Sequence, residues 1–215
     1  CDYMVELEFF KSMPEGIRKD AWFLTKVTMT GQERNPETRR YPLLNWDDPA
    51  TNQKHPYWKK NIESSDWVFN YDDGYYETKG ISSASGKTRM IFRYADILLL
   101  YAEAVAYGTK SIDDLAFDCM WRVQERAGVP LISKDVTKEY FQKAVLDERR
   151  WETAGMEHSC MGRFFTMQRH EILHLQKNYR DAAELSLNPN LTLSEEFYYF
   201  PIPDNELLIV PGLKD

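Results

Sequence analysis

The stretch Arg93–Gly108, RYADILLLYAEAVAYG, decides how the chain is read. Ile97, Leu98, Tyr101, Ala102, Val105 and Ala106 recur at the i, i+1, i+4, i+5 spacing that draws one broad apolar stripe along an α-helix. Leu99, Leu100, Ala104 and Tyr107 fall on the other side, so the pattern predicts a central core helix covered on more than one face. Gly108 is expected to end it in a left-handed turn, which a residue without Cβ adopts at no steric cost. Asp96 and Glu103, seven residues apart on one face, are expected to anchor neighbouring elements.

Downstream, Ser111 is the expected N-cap of a second helix, with Asp113 and Asp114 in its first turn where carboxylates suit the positive helix end. Leu115, Ala116, Cys119, Met120 and Val123 give its stripe, which stops near Ala127 and Gly128 and makes a helical hairpin with a short connection. Cys119 reads as a small buried hydrophobe. Beyond Pro130 a third helix is predicted from about Thr137 to Trp151, with Phe141, Ala144, Val145 and Leu146 apolar. Its end carries Glu148, Arg149, Arg150 and Glu152, read as an ion-pair network against neighbouring helices or as a solvated face. A fourth helix is predicted from around Met161 to about Tyr179. Tyr198 to Pro203 reads as extended, with Asp204 capping a brief turn through Leu208 as a C-terminal clamp.

Upstream, Tyr3 to Phe10 alternates apolar and acidic residues, which predicts a half-buried strand. Lys11 to about Asn52 has no clear period and is punctuated by Pro14, Gly16, Gly31, Pro36, Pro42 and Pro49, so it reads as loop. Between Trp46 and Tyr76 aromatic residues crowd together, interleaved with Asn and Asp. Rings beside amides and carboxylates are what a sugar surface needs, because a pyranose offers a C–H face for stacking and a rim of hydroxyls. Trp46, Trp58, Trp67, Tyr71, Tyr75 and Tyr76 are therefore the candidate carbohydrate-binding residues, against the plainer reading that they form the loop's own core. Gly80 to Lys87, GISSASGK, reads as a linker; it lacks the earlier Gly that a phosphate loop requires.

The 215 residues, 43% hydrophobic and 28% charged, are ordinary for a globular chain. A net charge of −7 argues against nucleic acid as a partner, since that affinity rests on clustered Lys and Arg. No apolar run approaches the roughly 20 residues needed to span a bilayer. Cys1, Cys119 and Cys160 have no metal-ligand spacing, so neither a disulfide framework nor a zinc cluster is expected. Cys1 stands where a processed lipoprotein carries its lipidated cysteine, yet no signal sequence precedes it; the chain is expected to begin partway through a longer protein.

Five pieces occur in a telling order: RYADILLLYAEA, a helix ending VQERAG, a helix ending LDERRWE, then GRFFTMQR and finally YYFPIPDNEL. Together they resemble the C-terminal half of the SusD/RagB family of glycan-binding outer-membrane lipoproteins, well over Thr88 to Asp215. The chain departs from the family pattern in GMEHSCMGRFFTM, where Thr166 replaces a usual Asp. The resemblance implies a mainly α fold: an irregular helical domain with a helical hairpin, long loops and a few short strands. Residues 1–215 are expected to form one C-terminal domain, 1–87 loop-rich with a short strand and 88–215 a helical core and clamp, without the family's N-terminal helical repeats. It further implies a surface-exposed protein, held at the outer membrane only through a lipid anchor, that presents oligosaccharide or polysaccharide to a TonB-dependent, SusC-like transporter without cleaving it. No cofactor or catalytic residue is expected.

One competing motif exists. His170, Glu171 and His174 in HEILH match H-E-x-x-H, which on a helix sets two imidazoles one turn apart for Zn²⁺ with the Glu as general base. The metzincin continuation fails, because Lys177 stands where Gly belongs and Arg180 where the third His belongs. Glu184 and Glu195 are conceivable third ligands that no second motif supports. No nucleophile elbow is present, and no two of the 34 carboxylates are marked as a glycosidase pair.

Overall fold

The computed structural model describes residues 5–28, 35–37, 43–51, 54–59, 67–70, 75–78, 92–155, 164–172, 175, 182, 186, 202–210 and 212, with 27–28, 67–70 and 75–78 by backbone alone. The fold is mainly helical with a few short strands. Two compact units divide it, residues 1–161 and 162–215. The linker at 80–87 and the segment 198–201 lie outside the described residues.

The first unit opens with α1 (Leu7–Ser12) and α2 (Ile17–Trp22). The expected strand over Tyr3 to Phe10 is thus a helix in its described part. Val5, Phe9, Phe10 and Met13 recur at helical spacing and all join one cluster with Trp22 and Phe23, and packing two adjacent, half-buried Phe side chains on one cluster defeats a strand's alternation. The supposed loop from Lys11 onward also holds β1 (Phe23–Leu24), β2 (Lys26–Thr28) and β3 (Leu43–Asn45), segments too short to show a period. β4 (Tyr57–Trp58) pairs antiparallel with β1, and β3 with β2. β5 (Trp67–Asn70) and β6 (Tyr75–Thr78) form an antiparallel hairpin.

The core is three helices: α3 (Tyr94–Tyr107), α4 (Asp114–Ala127) and α5 (Lys138–Thr153). α3 packs on both others, with Leu98, Leu99, Ala102 and Ala106 against Phe117, Met120 and Val123 of α4 and Phe141 and Val145 of α5. Phe117 and Phe141 meet edge-on at 4.8 Å between centroids. Cys119 is buried, as its place on the stripe predicts.

The buried face of α3 is rotated from the expected one. Ile97 is 53% exposed whereas Leu99 is fully buried, and Leu115 of α4 is likewise exposed. Apolar residues run round most of α3, so periodicity does not choose a face. The charged residues do: Asp96 and Glu103 are both buried, Asp96 against Arg93 and Glu103 against Arg149 of α5. An unpaired buried carboxylate is costly, so the face carrying both turns to where guanidinium groups wait.

The helix ends follow local chemistry. Asp96 accepts from the Arg93 backbone N–H (2.8 Å) and side chain (3.0 Å), closing the start of α3. Gly108 is extended (φ −72°, ψ 174°) and not left-handed; the Lys138 ammonium donates to the Gly108 (2.5 Å) and Lys110 (2.9 Å) carbonyls and draws this connection onto α5. The N-cap of α4 is Asp113 in place of Ser111: its carboxylate accepts from the Ala116 N–H (2.8 Å) and from the Tyr101 hydroxyl of α3 (2.9 Å), two bonds that also tie the hairpin. Gly128 at φ 69° closes α4, with its N–H on Glu125 and that of Val129 on Gln124. Thr137 caps α5 through the Tyr140 N–H (3.2 Å).

In the second unit residues 164–169 are helical, and Asp204–Ile209 forms a short helix. Pro203 occupies its N-cap position and Asp204 is its first residue, so Asp204 does not cap it as expected. A proline suits that boundary because it has no N–H to leave unsatisfied. The long fourth helix does not form: Glu171 takes a left-handed φ of 55°, with its N–H on Gln168 (3.0 Å) and that of Ile172 on Met167 (2.8 Å), the paired bonds of a Schellman stop.

Leu99→Ala is expected to lower unfolding free energy by about 2–5 kcal/mol and Ile97→Ala to change it by about 0.5 kcal/mol or less. Urea titration followed by circular dichroism distinguishes this buried face from the rotated one, for which the two effects exchange.

Candidate functional site

An open cleft of about 200 Å³ lies beside α2 and the start of β1. Phe10 and Phe23 supply its rings, and Glu15, Lys19, Asp20, Lys26 and Lys59 its charged groups. Lys59 reaches it because β1 pairs with β4, in the register Phe23↔Trp58 and Leu24↔Tyr57. Its ammonium donates to the Asp20 carbonyl (3.3 Å). Lys19 is buried, and its ammonium sits 4.5 Å from the Phe10 ring centroid, donating to Met13 O (3.1 Å) and to the Glu15 carboxylate (2.5 Å). Phe10 meets Phe23 edge-on at 5.1 Å, so the aromatic wall is a packed unit.

The sequence-predicted aromatics divide around this cleft. Trp46 stands edge-on to Phe10 at 5.7 Å, and its backbone N–H donates to Thr25 O (2.8 Å), so it backs the cleft wall. Trp58 packs on Phe23 (5.1 Å) and Phe9 (6.3 Å) and covers Gly155, where a Cβ would come within 2.6 Å of the indole. Trp67, Tyr75 and Tyr76 belong to the β5–β6 hairpin, in the register Phe69↔Tyr76 and Asn70↔Tyr75. Their side chains, and Tyr71 altogether, lie outside the described residues.

Phe10, Lys19, Phe23, Lys26 and Lys59 were not singled out by sequence reasoning. The one local signal is KDAWFLTK, Lys19–Lys26, where lysines bracket an aromatic run. Lys59 carries no such signal, because only strand pairing brings it near.

A second group of charges is structural. Glu152 is 2% exposed and accepts from Arg93 (2.8 Å), Arg126 (2.5 Å) and Arg18 (3.3 Å). Arg18 also contacts Glu148, which is 1% exposed, and Arg150 reaches the Ser12 hydroxyl (3.0 Å). The expected network at the end of α5 therefore exists, and its groups are buried where a solvated face would leave them in water. Burial pushes the Glu148 carboxyl above its usual range, opposed by the Arg18 guanidinium. With guanidinium groups on both, Glu148 and Glu152 act as anchors and do not line the cleft.

In the described part of the HEILH segment, His170 to Ile172, the backbone is not helical. The helix stops at 169, His170 and Glu171 form a turn, and the φ of 55° at Glu171 breaks the helical turn that would align the two imidazoles. His174, Glu184 and Glu195 lie outside the described residues, and among those described no metal-ligand cluster occurs.

Comparison with known proteins decides the family. The model described as "SusD family" matches residues 15–215. The chain belongs to the SusD family. It is 28% identical over 130 residues to the SusD-like protein P25 of Formosa agariphila, a match covering 59% of this chain and 23% of that protein. It is also similar to the crystal structure of a SusD superfamily protein from Bacteroides vulgatus, with a TM-score of 0.53 and 19% identity over 95% of this chain and 41% of the other. That likeness supports the fold, and the chain spans less than half the length of either relative.

Two outcomes test these assignments. Arg18→Met strands a buried carboxylate and is expected to cost about 3–5 kcal/mol near neutral pH. Because the folded-state pKa of Glu148 is raised, its contribution to stability is full below the ordinary carboxylate value and lost as pH rises through the folded value; removing Arg18 raises that value further. The deficit of the variant should be smallest in acid and widen towards neutrality in urea midpoints taken between about pH 4 and 8. For HEILH, elemental analysis after purification in zinc is expected to give substoichiometric metal, unchanged by His170→Ala.

Proposed function

We propose that this SusD-family chain is part of a non-catalytic protein that binds oligosaccharide or polysaccharide at the bacterial surface and delivers it to a TonB-dependent, SusC-like outer-membrane transporter. Family membership carries the reading. The open cleft lined by the half-buried Phe10 ring, with the buried Phe23 behind it, and rimmed by charged side chains supports it, since a ring beside polar groups suits a pyranose. Attachment would be through a lipid anchor; among the described residues no helix is long and apolar enough to cross a membrane.

In this reading Trp46, Trp58, Trp67, Tyr71, Tyr75 and Tyr76 divide the work. Trp46 and Trp58 support the wall from behind, and Trp67, Tyr71, Tyr75 and Tyr76 are the residues proposed to touch the sugar.

Calorimetry and affinity electrophoresis of the full-length protein against a broad glycan panel are expected to find at least one ligand, released unchanged. Binding to no member overturns the proposal. Tyr71→Ala and Tyr75→Ala should weaken binding with the unfolding midpoint preserved. Trp58→Ala should instead cost stability, up to about 3–5 kcal/mol, through the loss of its packing on Phe9 and Phe23. Unaltered binding in both tyrosine variants would shift the hairpin to a scaffold role.

A further inference from the structure

The charge of the cleft runs against that of the chain. The protein carries 34 acidic against 27 basic residues, yet the cleft is lined by three lysines and two carboxylates. One of those carboxylates, Glu15, is already bonded to Lys19.

Lys19 is the informative residue. Its side chain is 7% exposed, a costly place for an ammonium group, while its Glu15 partner is 84% exposed. An ion pair so placed contributes little by itself, because water competes for the exposed carboxylate. An ammonium group has three N–H donors, and Met13 O and Glu15 take two. Held by these two acceptors and by the Phe10 ring, 4.5 Å away at its centroid, the ammonium is a fixed cation at the cleft border with little ordering left to do on binding. Lys26 is exposed on the strand that follows, and Lys59 is tethered through Asp20 O. Three cations from two distant parts of the chain thus border one opening whose wall is aromatic.

With three lysines and two carboxylates the lining carries one net positive charge in a chain of net −7, and a neutral sugar, which uses rings and hydroxyl partners, has no need of that excess. From the cleft that sets the half-buried Phe10 ring, backed by the buried Phe23, beside Lys19, Lys26 and Lys59, we infer that it takes a glycan bearing anionic substituents, carboxylate or sulfate, with the sugar ring against Phe10 and the anion among the lysines. This deepens the glycan-binding reading and rests on it.

The test compares charged glycans with their neutral counterparts on the full-length protein: oligogalacturonate against its methyl ester, and a sulfated galactan oligomer against the desulfated one. The charged member of at least one pair is expected to bind about tenfold or more tightly, with affinity falling as salt rises. The pair that shows the difference identifies carboxylate or sulfate as the group read. Lys26→Ala combined with Lys59→Ala alters exposed or half-buried groups, so folding should survive and the charged ligand should lose at least tenfold more affinity than its neutral counterpart. Lys19→Gln serves as a second variant, checked for a native circular dichroism spectrum. Equal affinity within both pairs, or full affinity for the charged ligand in the double variant, overturns the inference and leaves neutral-glycan binding standing. Binding of no glycan, charged or neutral, removes the underlying reading as well.

Discussion

Glu152 holds the first unit together. Its buried carboxylate receives Arg18 from α2, Arg93 from the start of α3 and Arg126 from α4, while its own helix, α5, places Glu148 one turn earlier on Arg18 as well. A carboxylate away from water must have its charge answered, and three guanidinium groups supply more donors than one oxygen pair can use. The arrangement is therefore all-or-none: each helix must sit where its arginine reaches the shared acceptor. Packing of Leu99, Phe117, Met120 and Phe141 contributes the apolar area, but such side chains tolerate rotation in a way that a shared ion does not.

The cleft inherits its position from this anchor. Arg18 fixes α2 to α5, Arg150 bonds Ser12 at the end of α1 and lies 5.5 Å from the Phe9 centroid, and Phe10 and Phe23 are thereby held face to edge. Trp58, wedged between Phe23 and Gly155, brings β4 and hence Lys59 alongside. A cleft built on two-residue strands would have little stability of its own. Here the aromatic cluster beneath carries it, and the charged groups are set on a rigid wall.

The three long helices were legible because each repeats its apolar residues over several turns, and signals such as Thr137 and Gly128 act within one turn of where they stand in the chain. Elsewhere the local signal misled. Glu6 and Glu8 alternate with Val5, Leu7 and Phe9 as in a strand, yet α1 is a helix that packs the adjacent Phe9 and Phe10 on one cluster. HEILH matches a motif letter by letter, while the helix stops at 169, just before it, and Glu171 turns left-handed. Of the candidate site, the aromatic character around Trp46 and Trp58 was visible, whereas the lysines were not, since Lys19 and Lys59 are joined only by the β1–β4 pairing.

By itself the amino-acid sequence determined the helical class, the hairpin of α3 and α4, and the family, because these rest on periodicity and on ordered motifs that survive without knowledge of contacts. It left α3 with apolar residues almost all round, and so without a chosen face. Only the tertiary structure decided that Asp96, Leu99 and Glu103 turn inward and Ile97 outward, since the deciding partner of Glu103, Arg149, lies on another helix. The same reason governs the cleft: cations separate in sequence become one site when pairing and packing bring them to one opening.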